Sequence, residues 1–147
     1  MKLKTEWKNK MQFSATDETH TVLMDAKPPF GDNSSLSPKQ LLLAGVSGCT
    51  AMDVVGLLKK TKQKLQSLEV LADAPSTEAS HPVIFTKIDL HFIVTGDVSP
   101  ESLIGAVKLS QSKFCGVSAM VSKAVPIFYK ISLNGDIISE GKANFSF

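Results

Sequence analysis

The chain has 147 residues, 43% of them hydrophobic, and a net charge of +2. That length suits one domain with a substantial core. A charge this small excludes nucleic acid or an anionic membrane surface as the main partner. All 16 basic residues are lysine, so the planar fork with which arginine grips carboxylate, phosphate or a peroxide oxygen is missing. The N-terminal MKLKTEWKNK lacks the apolar run of a secretory signal, and the expectation is a cytoplasmic protein. In that compartment two cysteines point to catalytic or transient chemistry rather than a structural staple.

In chain order, Lys2 to Trp7, Met11 to Ala15 and His20 to Asp25 alternate in hydrophobicity, with Asn9-Lys10 and Asp17-Glu18 as turns. They read as a three-stranded meander. Ala26 to Leu36, rich in Pro, Gly, Asn and Ser, reads as a loop. Ser37 then offers an N-cap, Pro38 suits the first helical position, and Gln40 completes a capping box. The helix is expected to run to about Lys62. It is apolar on every side and should therefore be buried on every side. Gly45, Gly48, Cys49, Met52 and Gly56 fall on one stripe, where a second helix is expected to cross. Leu41 to Leu58 approaches the length of a membrane span, but Asp53, Ser47, Thr50 and three glycines within it favour a soluble reading with no membrane.

Ser67 to Ala74 reads as a strand, Pro75 to Pro82 as a polar loop, and Val83 to Thr95 as a long strand. In that strand Ile88, Leu90, Phe92 and Val94 face one way, and Lys87, Asp89 and His91 the other. Ser99-Pro100-Glu101 caps a second helix ending near Lys113. Cys115-Gly116 opens a short third helix that stops before Pro126. Ile127 to Leu133 is a strand, and Asn134-Gly135 turns it into another over Asp136 to Ser139. Strands in runs give an α+β fold with mostly antiparallel sheet. One small sheet covers one side of the central helix, so a second subunit is expected to cover the rest, giving a homodimer with the central helices near its axis.

The chemistry rests on Cys49 and Cys115. In the functional reading they meet and cycle between dithiol and disulfide, and the amides of Gly116 to Ser118 help to hold a thiolate. In the alternative each is a small buried hydrophobe, and the residue spacing alone leaves both open. Asp53 reads as a structural carboxylate satisfied by hydrogen bonds or a lysine. Thr50 and Ser47 are expected to bond back to their own helix. His20, His81 and His91 read as surface histidines, and Lys59, Lys60, Lys62 and Lys64 as a solvated helix end. No Cys, His and carboxylate set has zinc-ligand spacing, so neither metal nor cofactor is expected.

The segments SPKQLLLAGVSGCTAMDVVGLL and KFCGVSAMVSKAVPI resemble the two cysteine motifs of the OsmC/Ohr superfamily, and HPVIFTKIDLHFIVTG resembles its long strand. The resemblance runs in order along essentially the whole chain. It implies a single OsmC-like domain over residues 1–147, in which the sheet wraps a buried central helix within an intertwined homodimer. It also implies thiol-dependent reduction of organic hydroperoxides. Cys49 would become a sulfenic acid and Cys115 would condense with it, with a dithiol of lipoyl type as reductant. Characterised members hold the thiolate with an arginine and carry a glutamate just after the helix-opening proline. Here Lys39 and Gln40 stand in that neighbourhood, as candidate supporting residues beside Gly116. Two other functions fit the same fold. One is a non-catalytic protein holding an apolar ligand near Met52, Phe114 and Met120, and the other is a redox sensor or sulfur carrier.

Overall fold

A computed structural model describes residues 1–78 and 81–146. The elements run β1 (Lys4–Asn9), β2 (Gln12–Thr16), β3 (Thr21–Met24), α1 (Pro38–Lys60), β4 (Lys64–Asp73), β5 (Ile88–Asp97), α2 (Pro100–Leu109), α3 (Gly116–Val121), β6 (Ile127–Leu133) and β7 (Asp136–Lys142). The fold is α+β, in the order read from the sequence. The backbone groups into two compact units, Met1–Leu42 and Leu43–Phe147.

The first unit is an antiparallel sheet in the order β1-β2-β3. The Asp17 carboxylate accepts from the backbone N–H of Thr19 (2.8 Å) and His20 (2.7 Å), which fixes the β2–β3 turn. The loop after β3 is organised by Asp25. Its carboxylate accepts from the N–H of Ala26, Asp32 and Ser34 and from the Ser34 hydroxyl. These bonds, those from Ser34 foremost, hold the carboxyl below its ordinary value. Where α1 begins, the Ser37 N–H donates to Gln40 Oε1 at 2.8 Å, and the Gln40 N–H points back at Ser37 Oγ at 3.4 Å. This is the capping box read from the sequence.

The second unit is built on a sheet in the order β4-β5-β6-β7. The β5–β6 pair is parallel and the other two pairs are antiparallel. A parallel pair needs a crossover, and α2 and α3 supply it. Ile88, Leu90, Phe92 and Val94 of β5, with Ile127, Tyr129, Ile131 and Leu133 of β6, form one face of the core. Val46, Val54 and Leu58 of α1 and Leu103, Ala106 and Val107 of α2 belong to the same cluster. Each large side chain buried there stabilises the fold by about 1.5–3 kcal/mol. Asn134 and Gly135, at φ 51° and 97°, make the tight β6–β7 turn, in which both central residues need positive φ.

Four expectations are corrected. The long strand begins at Ile88, not Val83. Residues 83–87 instead pair irregularly with 75–77, through a Ser76–Phe85 bridge and the Thr77 N–H to Ile84 O bond. Pro75 and Pro82 have no N–H to continue a ladder there. The helix expected to reach Lys113 ends at Leu109 and passes into a π turn at Ser110–Phe114, closed by the Cys115 N–H donating to Ser110 O at 3.0 Å.

The other two corrections concern α1. Only one row of it is buried, Val46, Thr50, Val54 and Leu58, and Met52 is 78% exposed. Among the described residues nothing lies within 4 Å of a β-carbon built on Gly45, Gly48 or Gly56. The helix expected to cross that stripe is therefore not supplied by this chain. At 23 residues α1 is long and apolar enough to cross a membrane by length and composition, yet its buried row belongs to the core cluster.

Candidate active site

α1 carries Cys49 beside its buried row, and the π turn delivers Cys115 to the start of α3. A π turn holds one residue more than an α turn, which re-aims the side chains at its end and is frequent at functional sites. Here it makes Cys115 the N-cap of α3. The Cys115 sulfur accepts from the Ser118 N–H at 3.3 Å. Cys115 is fully buried and Cys49 half-buried. Cys49 lies close enough to Cys115 to bear on its ionisation.

Burial pushes the Cys115 thiol above its ordinary value. The Ser118 hydroxyl and N–H act in the opposite direction, whereas the neighbouring Cys49 raises it further. Of the α3 amides expected to help hold a thiolate, that of Ser118 reaches the Cys115 sulfur, and burial acts against it.

Behind the sulfurs lies a polar chain that the sequence reading did not assemble. The Ser110 hydroxyl donates to Asp53 Oδ2 at 2.9 Å and lies 2.8 Å from Thr50 Oγ1. Gln111 Nε2 donates to Thr50 Oγ1 at 2.9 Å and to Ser118 Oγ at 3.3 Å. The Ser118 N–H in turn donates to the Cys115 sulfur. Thr50, Ser110, Gln111 and Ser118 are buried, and Gln111 Oε1 has no partner. An orphaned buried carbonyl costs about 1–3 kcal/mol. Asp53 is hydrogen-bonded, as its structural reading required. Ser47 bonds back to Leu43 O at 3.0 Å and Ala44 O at 3.3 Å, as expected, but Thr50 does not. The available signal was the polar run Ser110-Gln111-Ser112 interrupting an otherwise amphipathic helix just before Cys115.

Gly116 is the first residue of α3, and nothing crowds the place where its β-carbon would stand. Gln40 is committed to the α1 cap, and Lys39 stands exposed in the same first turn. Met52, Phe114 and Met120 are all exposed on the single chain. His91 is half-buried on the sheet face away from the core, its Nε2 2.7 Å from Ser132 Oγ. Lys59, Lys60, Lys62 and Lys64 are exposed.

The family model for OsmC-like proteins matches residues 31–130, a span that holds both cysteines and the polar chain behind them. The chain belongs to the OsmC-like family. Among curated relatives, the protein YhfA of Escherichia coli strain K12 is 37% identical over 129 residues, covering 86% of this chain and 93% of that one. A solved hypothetical protein from Aquifex aeolicus VF5 superposes with a TM-score of 0.80 at 24% identity, over 92% of this chain and 96% of its own. An organic hydroperoxide resistance protein OsmC from Legionella pneumophila gives a TM-score of 0.65 at 16% identity, over 89% and 93%. At such identities these two structures show the OsmC-like fold alone.

Proposed function

We propose that this chain is a thiol-dependent peroxidase that reduces organic hydroperoxides in the cytoplasm, acting as one OsmC-like domain. The observation that carries the reading is the proximity of one half-buried and one fully buried thiol, remote in sequence, at the start of α3. The hydroperoxide resistance protein of Legionella pneumophila, which shares the fold, supports the substrate class. Cys49, the more accessible sulfur, attacks the terminal peroxide oxygen. The S–O bond forms as the O–O bond breaks, and the alcohol leaves with a proton. Cys115 then attacks the sulfenic sulfur, the S–S bond forms, and water leaves. A dithiol reductant of lipoyl type restores both thiols by exchange. The Ser118 N–H, 3.3 Å from the Cys115 sulfur, favours a thiolate at that position, and Lys39 and Gly116 are supporting candidates.

A homodimer is part of the proposal. The exposed stripe of α1 at Gly45, Met52 and Gly56, with the exposed Phe114 and Met120, leaves an apolar surface that a second copy would cover. The deciding experiment treats the reduced protein with one equivalent of cumene hydroperoxide and measures its intact mass. Loss of two hydrogens, abolished by Cys49→Ser and by Cys115→Ser, is the expected result. An unchanged mass, with no peroxide consumed, refutes the reading.

A further inference from the structure

We infer that Asp53 is a positioning residue: through Ser110, Thr50, Gln111 and Ser118 it fixes the direction of a hydrogen-bond relay that leaves the Ser118 hydroxyl proton free for the Cys115 sulfur, which the Ser118 N–H already meets at 3.3 Å. The inference rests on the thiol reading above for its purpose, but its geometry is independent of any substrate.

The direction follows from counting protons. A carboxylate only accepts, so Ser110, 2.9 Å from Asp53 Oδ2, spends its single hydroxyl proton there. The 2.8 Å contact between Ser110 and Thr50 must then be donated by Thr50. With its own proton spent, Thr50 can only accept from Gln111, so Gln111 must present its amide nitrogen rather than its carbonyl. The same nitrogen reaches Ser118 Oγ, which leaves the Ser118 proton for Cys115. The unpartnered Oε1 is what this orientation leaves behind. Turned over, Gln111 would place its carbonyl between the Thr50 and Ser118 hydroxyls and satisfy that oxygen. Both hydroxyls would then donate to it, and the Ser118 hydroxyl proton would no longer be free for Cys115. The acceptor at the far end of the relay holds the costlier arrangement in place.

The purpose lies in the second chemical step. Once Cys49 is a sulfenic acid, Cys115 must form an S–S bond as the S–O bond of Cys49 breaks, and hydroxide leaves as water with the Cys115 proton. The attacking form is the thiolate, in a fully buried position that disfavours charge. A hydroxyl and an N–H held ready by the relay favour that charge when it is needed. The titratable groups that bear on the Cys115 sulfur are the Cys49 thiol directly and Asp53 through the relay.

The test titrates Cys115 spectroscopically, by its thiolate absorbance, in a Cys49→Ser background and without peroxide. Asp53→Ala, at a half-buried helical position that tolerates alanine, is expected to raise the Cys115 midpoint and lower its thiolate fraction at fixed pH about threefold or more. Thr50→Val breaks the relay in its middle and is expected to do the same, whereas Thr50→Ser, which keeps the hydroxyl, restores the parent titration. Ser118→Ala gives the full effect, about tenfold for one hydrogen bond to a charged group. A midpoint unmoved by Asp53→Ala overturns the relay, as does equal behaviour of Thr50→Val and Thr50→Ser. The peroxide reaction of the unmodified protein is read separately. Failure of disulfide formation there sinks the peroxidase reading while the relay stands, and the converse result separates the two.

Discussion

A close approach between β6 and β7 makes a quantitative prediction. Gly141 of β7 lies opposite Tyr129 of β6. A β-carbon at Gly141 would stand against Tyr129 Oη, 2.5 Å from Cζ and 2.9 Å from Cε2. Carbon atoms pack at about 3.5–4.0 Å, so ring or strand must shift by roughly 1 Å. The obstacle is the body of a buried aromatic ring, not the far end of a flexible side chain, and Tyr129 is only 7% exposed. Overpacking of this kind costs about 1–3 kcal/mol. Replacing a strand glycine with alanine returns about 0.5–1 kcal/mol by restricting the unfolded chain. Gly141→Ala should therefore destabilise the protein by about 1–2 kcal/mol, lowering Tm by roughly 2–8 °C at this chain length. Urea unfolding at fixed protein concentration should show a lower midpoint with an unchanged slope. Tyr129→Leu removes the ring, and in that background Gly141→Ala should cost far less. A Gly141→Ala protein as stable as the parent, or a cost undiminished by Tyr129→Leu, refutes the packing argument.

Cys115→Ser should halt the proposed reaction after its first step, so that one equivalent of hydroperoxide is consumed and a dimedone-reactive sulfenic acid accumulates at Cys49; rapid continuing turnover with a dithiol would remove Cys115 from the mechanism. The Cys115 thiol is raised in the folded state, so between its unfolded value, about 8.5, and its folded one the native protein binds more protons than the unfolded chain. Its contribution to stability is intact below about pH 8.5 and declines as pH rises above that, and the stability difference from Cys115→Ser should shift in that window and stay flat at lower pH. Substituting Gly48 with Leu or Met52 with Glu on the uncovered faces of α1 should lower the molecular mass seen by light scattering, and an unaltered mass would place any self-association elsewhere. Asp25→Ala removes the acceptor of four hydrogen bonds and should increase proteolysis within residues 26–36, with little effect on hydrogen exchange in β5.

What the sequence disclosed followed from local rules. The α1 capping box, the alternation of β5 and the Asn134-Gly135 turn are each determined within a few residues, and each stands where its residues indicated. The errors arose where distant chain intervened. Residues 83–87 carry a strand pattern, but their partner segment contains Pro75, and a ladder needs donors on both sides. The second helix ends early because Ser110 and Gln111 find buried partners on α1, a competition invisible in the sequence of α2. Cys49 and Cys115 were legible as candidates, but their contact was not a matter of spacing. Gln111 was missed for the same reason, since its role exists only through Thr50 and Ser118, which lie on two other helices.

The two sulfurs stand together although about 65 residues of chain separate them. A covalent link there would tie off a long loop of the unfolded polymer and stabilise the native state by about 4 kcal/mol on the chain-entropy account. Oxidation would then make the molecule harder to melt while it waits for its reductant, so a heating curve alone would report which chemical form a sample holds.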